Sequence, residues 1–205
     1  MTTITDPAPW LALHRQAVAA VQPVYGKLTE DALDRQTPCA GWNLGQLLAH
    51  LIGQDHGFAA AVRADVTVEA FRPRPPEGEL ASALSASLTA VQQAFAQADP
   101  DRLVLMPEFD GQRFPLAAVI GFHFIDTLVH GWDVAAGLGI SVEYSPELVA
   151  AALAQTLAIP DGPFRDAPGA AFARPLARTG DPGPWAQTLL WLGRDPEWSP
   201  TASKG

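Results

Sequence analysis

The chain has 205 residues, enough for one domain with a substantial core, and its 48% hydrophobic and 17% charged residues are ordinary for a globular protein. A net charge of −9 argues against binding to nucleic acid or to an anionic membrane surface, and no apolar run of about 18 residues predicts a membrane span. The single Cys39 excludes an internal disulfide and an all-cysteine metal site, and residues 1–10 lack a secretory-signal pattern, so we expect a cytoplasmic protein.

Two helices are predicted in the first third of the chain. Residues 8–25 carry apolar side chains at steps of three and four, the period of an amphipathic helix. A second helix is expected to begin after Asn43, whose side chain can cap it and can complete a capping box with Gln46. This helix should extend to about Ala64, with one apolar face turned towards the core.

The middle of the chain predicts a loop, a helix and a hairpin. Residues 72–79, RPRPPEGE, cannot be helical because each proline lacks a backbone N–H and clashes with the preceding turn. Residues 80–98 resume the helical period. Residues 102–116, RLVLMPEFDGQRFPL, alternate around an Asp-Gly pair, which predicts a short hairpin or an extended loop.

A fourth helix is expected to follow this hairpin. Pro115 suits its first turn, and Gly137 or Gly139 can end it. Residues 146–158 are rich in alanine and predict a fifth helix that also starts with a proline.

The remaining chain is predicted to be mostly irregular. Residues 160–185 form a Pro/Gly-rich stretch, and connections of this length tend to be functional or mobile. A last short helix is predicted near 184–192. The pattern predicts an all-α protein, with a four-helix bundle over residues 1–140 and a C-terminal extension over 141–205 that packs on the bundle.

The fourth helix carries a candidate metal-binding pair. Asp126 and His130 are four residues apart, so they share one helix face and can bind one metal ion together. His123 lies on the same stripe, but it is about 10.5 Å along the axis from His130, too far for both to ligate one ion easily. Asp126 therefore pairs with His130 or with His123, and the other histidine supports the site or faces substrate. The same spacing of Asp126 and His130 is also that of an ordinary ion pair on a helix surface, without any metal.

A third ligand must come from another helix. His50 is the best candidate because it lies at the edge of the inner face of the second helix. Gln54, one turn later, can support the ligands or contact substrate. His56 points about 240° away from His50, and His14, beside Arg15, is expected to face solvent.

Three residues near these ligands in the sequence also bear on the site. Cys39 lies just before the second helix, where a thiolate is favoured, but TPCAGW is more simply a turn whose small residue packs under Trp42. After His130, Trp132 is predicted to pack, and Asp133 to accept a hydrogen bond or to form an ion pair.

Two motifs, TPCAGWNLGQLLAHL at 37–51 and DTLVHGWDVAAGLG at 126–139, resemble signatures of the DinB-like, mycothiol-dependent maleylpyruvate isomerase superfamily. The ending LLWLGRDPEW resembles a subgroup of short actinobacterial members. The resemblance implies a DinB-like four-helix bundle that holds a divalent metal ion, often zinc, at His50, Asp126 and His130. Two departures stand out: many relatives have glutamate where Asp126 stands, and the isomerases have a larger C-terminal domain.

These residues support a leading hypothesis about function. Two histidines and one carboxylate leave a coordination position open, which is typical of catalytic rather than structural zinc. The zinc would activate a low-molecular-weight thiol, mycothiol, for transfer to or isomerisation of a small electrophile. In this scheme His123 donates a proton or orients Asp126, Arg194 contacts an anion, and Gln54 helps to bind the cofactor.

Other classes of function remain open from the sequence. A zinc-bound water would make the protein a hydrolase, and the same ligand set resembles the iron site of oxygenases. A non-catalytic protein could sequester a metal or a toxic small molecule, and a structural bundle could have lost its metal. A homodimer is expected from the resemblance alone.

Overall fold

A computed structural model describes residues 6–39, 41–167, 172–177 and 180–200. Within these ranges there are six α-helices and one short two-stranded antiparallel sheet, so the prediction of an all-α protein is confirmed. The elements are α1 (Ala8–Tyr25), α2 (Leu44–Ala61), α3 (Leu80–Gln97), β1 (Leu103–Met106), β2 (Gln112–Pro115), α4 (Leu116–Leu138), α5 (Pro146–Leu157) and α6 (Pro184–Trp191).

Local signals in the sequence set most of these boundaries. Asn43 Oδ1 accepts from the Gln46 N–H at 2.9 Å and Gln46 Oε1 accepts from the Asn43 N–H at 3.0 Å, which is the predicted capping box. α4 ends where Gly139 adopts a left-handed conformation, with φ +73°. α2 ends at Ala61 rather than Ala64, because the last turn tightens.

The first four helices form the bundle. His14 and Val21 of α1 lie against His123 and Gly131 of α4 in the same order, so these two helices are parallel. A Cβ at Gly131 would overlap the Val21 side chain, and glycine therefore allows α1 to approach α4 closely. α2 runs antiparallel to α4: an early residue of α2, His50, faces a late residue of α4, His130.

Apolar side chains fill the bundle in two clusters. One lies towards the start of α2 and α3 and the end of α4, and includes Val21, Leu44, Leu48, Leu84, Leu88 and Val134. The other lies at the opposite end, where the β1–β2 hairpin covers the bundle, and includes Phe58, Phe71, Val91, Phe95, Met106 and Ile120. The polar site residues lie between these two clusters, at the level of the middle of α2 and α4.

The residues after α4 form a third apolar cluster with α4. Leu148 and Ala152 of α5 and Leu192 pack with Phe124 and Leu128 of α4. Tyr144 Oη donates to the backbone carbonyl of Leu128 at 2.7 Å. The division of the chain at residue 140 stays a prediction. Segments 168–171 and 178–179 of the Pro/Gly-rich stretch lie outside the described residues, and among the described helices none combines the length and the apolar character needed to cross a membrane.

Candidate metal centre

The three predicted metal ligands lie together between α2 and α4. One ligand atom from each of His50, Asp126 and His130 lies within 4.8 Å of those of the other two. His130 Nε2 is 3.4 Å from Asp126 Oδ1, and the rings of His50 and His130 are 5.2 Å apart. The sequence left open whether His123 or His130 pairs with Asp126, and the structure brings His130 to it.

The ligand group is sheltered but reaches the surface on one side. The Asp126 side chain is 19% exposed and that of His130 is 6% exposed. The Trp42 ring lies 4.7 Å from the half-buried His50 ring and is itself 37% exposed. A small molecule can therefore approach from the side of His50 and Asp126.

Asp133 lies behind His130 and orients it. Its Oδ2 lies 2.9 Å from His130 Nδ1, on the side of the ring away from Asp126. A fully buried carboxylate at this position holds the proton on Nδ1 and leaves Nε2 as the electron-pair donor. This carboxylate–histidine arrangement is typical of metal sites, so the residues present fit a divalent metal ion.

Arg194 reaches Asp133 from the C-terminal segment. Its Nε lies 3.3 and 3.2 Å from the two carboxylate oxygens, and its Nη2 lies 3.2 Å from Oδ2. Arg194 was predicted to contact an anion, and in the structure it contacts the carboxylate of Asp133. At 7% exposure, the Arg194 guanidinium acts as a support for Asp133.

Cys39 contacts the same pair, which the sequence analysis missed. Its Sγ lies 3.1 Å from Asp133 Oδ2 and 3.7 Å from His130 Nδ1, and Arg194 Nη2 donates to it at 3.3 Å. Cys39, His130 and Asp133 could also hold a metal by distance alone. The guanidinium of Arg194 already neutralises this second group, so a cation there is disfavoured.

The charges of the site give His50 and Asp126 the protonation states that a metal needs, whereas His130 has to release a proton before it can bind one. Burial, aided by the positive charges of His130 and Arg194, lowers the pKa of His50 to about 4, so its imidazole is neutral at pH 7. Burial opposes the charge of Asp126, but the imidazoles, His130 first, outweigh this and lower its pKa. Burial likewise opposes a proton on His130, yet Asp126 holds its pKa well above the ordinary value. A divalent cation would take the place of that proton.

His123 lies outside this group, and the structure does not bring it to the ligands. Its Nε2 is 2.9 Å from Asp55 Oδ1 and its Nδ1 is 2.7 Å from His14 Nε2. With both nitrogens bound and 1% exposure, the ring is placed neither to donate a proton to substrate nor to orient Asp126. His14 is also 1% exposed rather than solvated. The sequence did carry a signal, since Asp55 falls on the inner face of α2 and a buried carboxylate requires a partner.

Gln54 lies one turn after His50 and binds a residue of the hairpin. Its buried side chain donates from Nε2 to Glu108 Oε1 at 3.1 Å. Glu108 belongs to the 3₁₀ turn Pro107–Phe109, which joins the two strands. No local pattern in the sequence points to Glu108, because the hairpin and α2 are far apart along the chain.

The chain matches the protein-family model described as the mycothiol maleylpyruvate isomerase N-terminal domain over residues 14–135. It is similar to two uncharacterized proteins of Mycobacterium tuberculosis, one from strain CDC 1551 and one from strain H37Rv. Each is 29% identical over 188 residues, which cover 90% of this chain and 97% of the relative.

The fold is similar to that of a solved enzyme. The crystal structure of a mycothiol-dependent maleylpyruvate isomerase matches with a TM-score of 0.55 at 14% identity, covering 73% of this chain and 68% of that one. A histidine-to-alanine mutant of such an isomerase matches with a TM-score of 0.56 and the same coverage. At this identity the likeness concerns the fold, and it confirms the predicted DinB-like architecture.

Proposed function

The chain belongs to the family of the mycothiol maleylpyruvate isomerase N-terminal domain, and on this premise we propose that it is a metal-dependent enzyme that uses a low-molecular-weight thiol. In this proposal His50, Asp126 and His130 hold a zinc ion, mycothiol is the thiol, and a small electrophile is isomerised or receives the thiol. We place the activity in the cytoplasm, with small molecules as partners and a homodimer as the assembly.

The proposal rests on one observation, the convergence of two imidazoles and one carboxylate within 4.8 Å of one another. Three protein ligands with a side open to solvent are typical of catalytic zinc, whereas structural zinc is closed by four. When bound there, zinc would favour the thiolate form of a coordinated thiol, which is the nucleophilic form.

The surrounding residues have defined tasks in this scheme. Asp133 holds the Nδ1 proton of His130, which keeps Nε2 directed towards Asp126. Arg194 compensates the buried charge of Asp133. The Trp42 ring packs beside the His50 ring, with centroids 4.7 Å apart. These contacts order the ligands before a metal arrives, and preorganisation of this kind strengthens metal binding.

The test is metal content and thiol binding in protein purified without an affinity tag. We expect close to one zinc per chain by plasma mass spectrometry, and loss of that zinc in His50→Ala and in His130→Ala. His56→Ala is the matched control, because it removes an imidazole from the same helix outside the ligand group. Calorimetry should then detect mycothiol binding to the zinc-loaded protein only.

The outcomes separate the classes of function. Zinc binding without any affinity for mycothiol would contradict the thiol-dependent enzyme and leave hydrolysis or metal sequestration as the next hypotheses. A parent protein that takes up no zinc, even after incubation with the metal, would contradict the proposed function altogether.

A further inference from the structure

We propose that Glu108 selects by charge among the small molecules that approach the metal-ligand group, favouring a cationic or hydrogen-bond-donating group over an anionic one. The inference rests on the proposed function, since it concerns ligands of the same site. It names a specificity-determining residue and the chemical class of ligand that the site accepts.

The first step is the position of Glu108 relative to α2. Gln54 lies four residues after His50, so its side chain is one helical turn away on the same face. Gln54 Nε2 donates to Glu108 Oε1 at 3.1 Å. Because Gln54 is buried and bonded to Glu108, the Glu108 carboxylate is held against α2 about one helical turn from the ligand His50.

The second step is the contact that holds the Pro107–Phe109 turn against α4. Phe109 stacks on Phe122 with ring centroids 5.1 Å apart and an angle of 24° between the rings. Phe122 lies four residues before Asp126, again one turn from a ligand. Because α2 and α4 are antiparallel, Gln54 and Phe122 lie on the same side of the ligand group. The Pro107–Phe109 turn therefore spans both helices at the edge of the site.

The third step is the charge at this edge. Partial withdrawal of its carboxyl from water raises the pKa of Glu108, and the negative charge of Asp126 acts in the same direction. The Pro107–Phe109 turn thus brings a second carboxyl group to the edge of the site. The nearby cation Arg194 binds Asp133 and is buried, so it does not offset Glu108. An incoming anion would meet a carboxylate beside the 39% exposed ring of Phe109. A carboxylate next to an aromatic face suits a cation or an N–H or O–H donor.

The experiment measures thiol binding to the cobalt(II)-substituted full chain at pH 8, well above ordinary carboxyl pKa values. Binding of cysteamine and of 3-mercaptopropionate, thiols of similar length and opposite charge, is followed by the sulfur-to-cobalt charge-transfer band. The two thiols differ in their own acidity and chelation, so the quantity compared between variants is the ratio of their affinities. In Glu108→Gln we expect the preference for cysteamine to fall by about threefold or more.

Asp110→Asn is the matched control. Asp110 lies in the same hairpin turn with φ 53°, a conformation that asparagine also tolerates, so this change removes the same charge without contact to Gln54. We expect its affinity ratio to equal that of the parent. An unchanged ratio in Glu108→Gln, or an equal change in both variants, would overturn the inference while leaving the proposed function intact. Failure of the parent to bind cobalt(II) would overturn both.

Discussion

His123 Nε2 lies 2.9 Å from Asp55 Oδ1 in the centre of the bundle, and this pair belongs to a longer polar chain. His14 Nε2 meets His123 Nδ1 at 2.7 Å, and Ser87 Oγ donates to Asp55 Oδ2 at 2.5 Å. The four residues come from α1, α2, α3 and α4, one from each helix. If every shared proton is directed towards Asp55, all these contacts are satisfied at once. These hydrogen bonds therefore link the four helices at one level, next to the metal-ligand group.

Because His123 and Ser87 both donate to Asp55, we expect a large loss of stability when this acceptor is removed. Asp55→Ala leaves the His123 N–H buried without its acceptor, while the Ser87 O–H keeps only the Leu84 carbonyl, which it also contacts at 3.0 Å. We therefore expect the free energy of unfolding to fall by about 3 kcal/mol. Ser87→Ala removes one donor and should cost about 1 kcal/mol. Urea unfolding followed by circular dichroism measures both. Equal losses in the two variants would mean that Asp55 is not the common acceptor.

The burial of His14 predicts a pH dependence of stability. Burial, with smaller contributions from His123 and Arg15, lowers the pKa of His14 well below its ordinary value. Below about pH 6.5 the unfolded chain protonates this histidine while the folded chain does not, so the unfolded state binds more protons. Stability should therefore fall as the pH decreases below 6.5, by up to about 1.4 kcal/mol per pH unit from this group.

Comparison with a variant isolates the contribution of His14. His14→Gln keeps an N–H that can donate to His123 but cannot titrate, so its stability should fall less steeply between pH 6.5 and 5. Urea midpoints of metal-free protein over this range give the two slopes. Parallel slopes for the parent and His14→Gln would show that His14 does not stay neutral in the folded state.

We expect a change at Asp133 to lower the metal affinity, although Asp133 is not a ligand of the proposed site. Asp133→Asn weakens the acceptor for His130 Nδ1 and leaves Arg194 without its counter-charge. Changes of this kind typically lower metal affinity about 10- to 100-fold. Competition with a chromophoric chelator measures the zinc affinity, and Asp34→Asn, at an exposed position, should match the parent. Full affinity in Asp133→Asn would mean that His130 needs no such support.

The two metal-capable groups share only His130, and this allows them to be distinguished. Cys39→Ala should retain zinc, because Cys39 lies outside the proposed ligand set. Asp126→Asn should lose most of its zinc, since a neutral amide replaces the one anionic ligand. Metal content after dialysis against buffer provides the measurement. The reverse pattern would assign the metal to Cys39, His130 and Asp133.

Much of the fold could be predicted from local patterns. The boundaries of α1 and the start of α2 depend on contacts between residues three or four apart, namely apolar spacing and the Asn43–Gln46 capping box. The same short range places Asp126 and His130 on one helix face, and the sequence by itself determined this pair as a candidate site. Such features follow from helix geometry, which does not depend on the rest of the molecule.

The choice among partners was decided only by the tertiary structure. His123 and His130 are equivalent candidates along α4, and the antiparallel packing of α2 directs one to Asp55 and the other to His50. The contacts of Arg194 with Asp133 and of Glu108 with Gln54 join residues far apart in the chain. No local pattern encodes these contacts, because they depend on how all the helices pack together and exclude water. The sequence therefore determined which groups can do chemistry, and packing decided which of them meet.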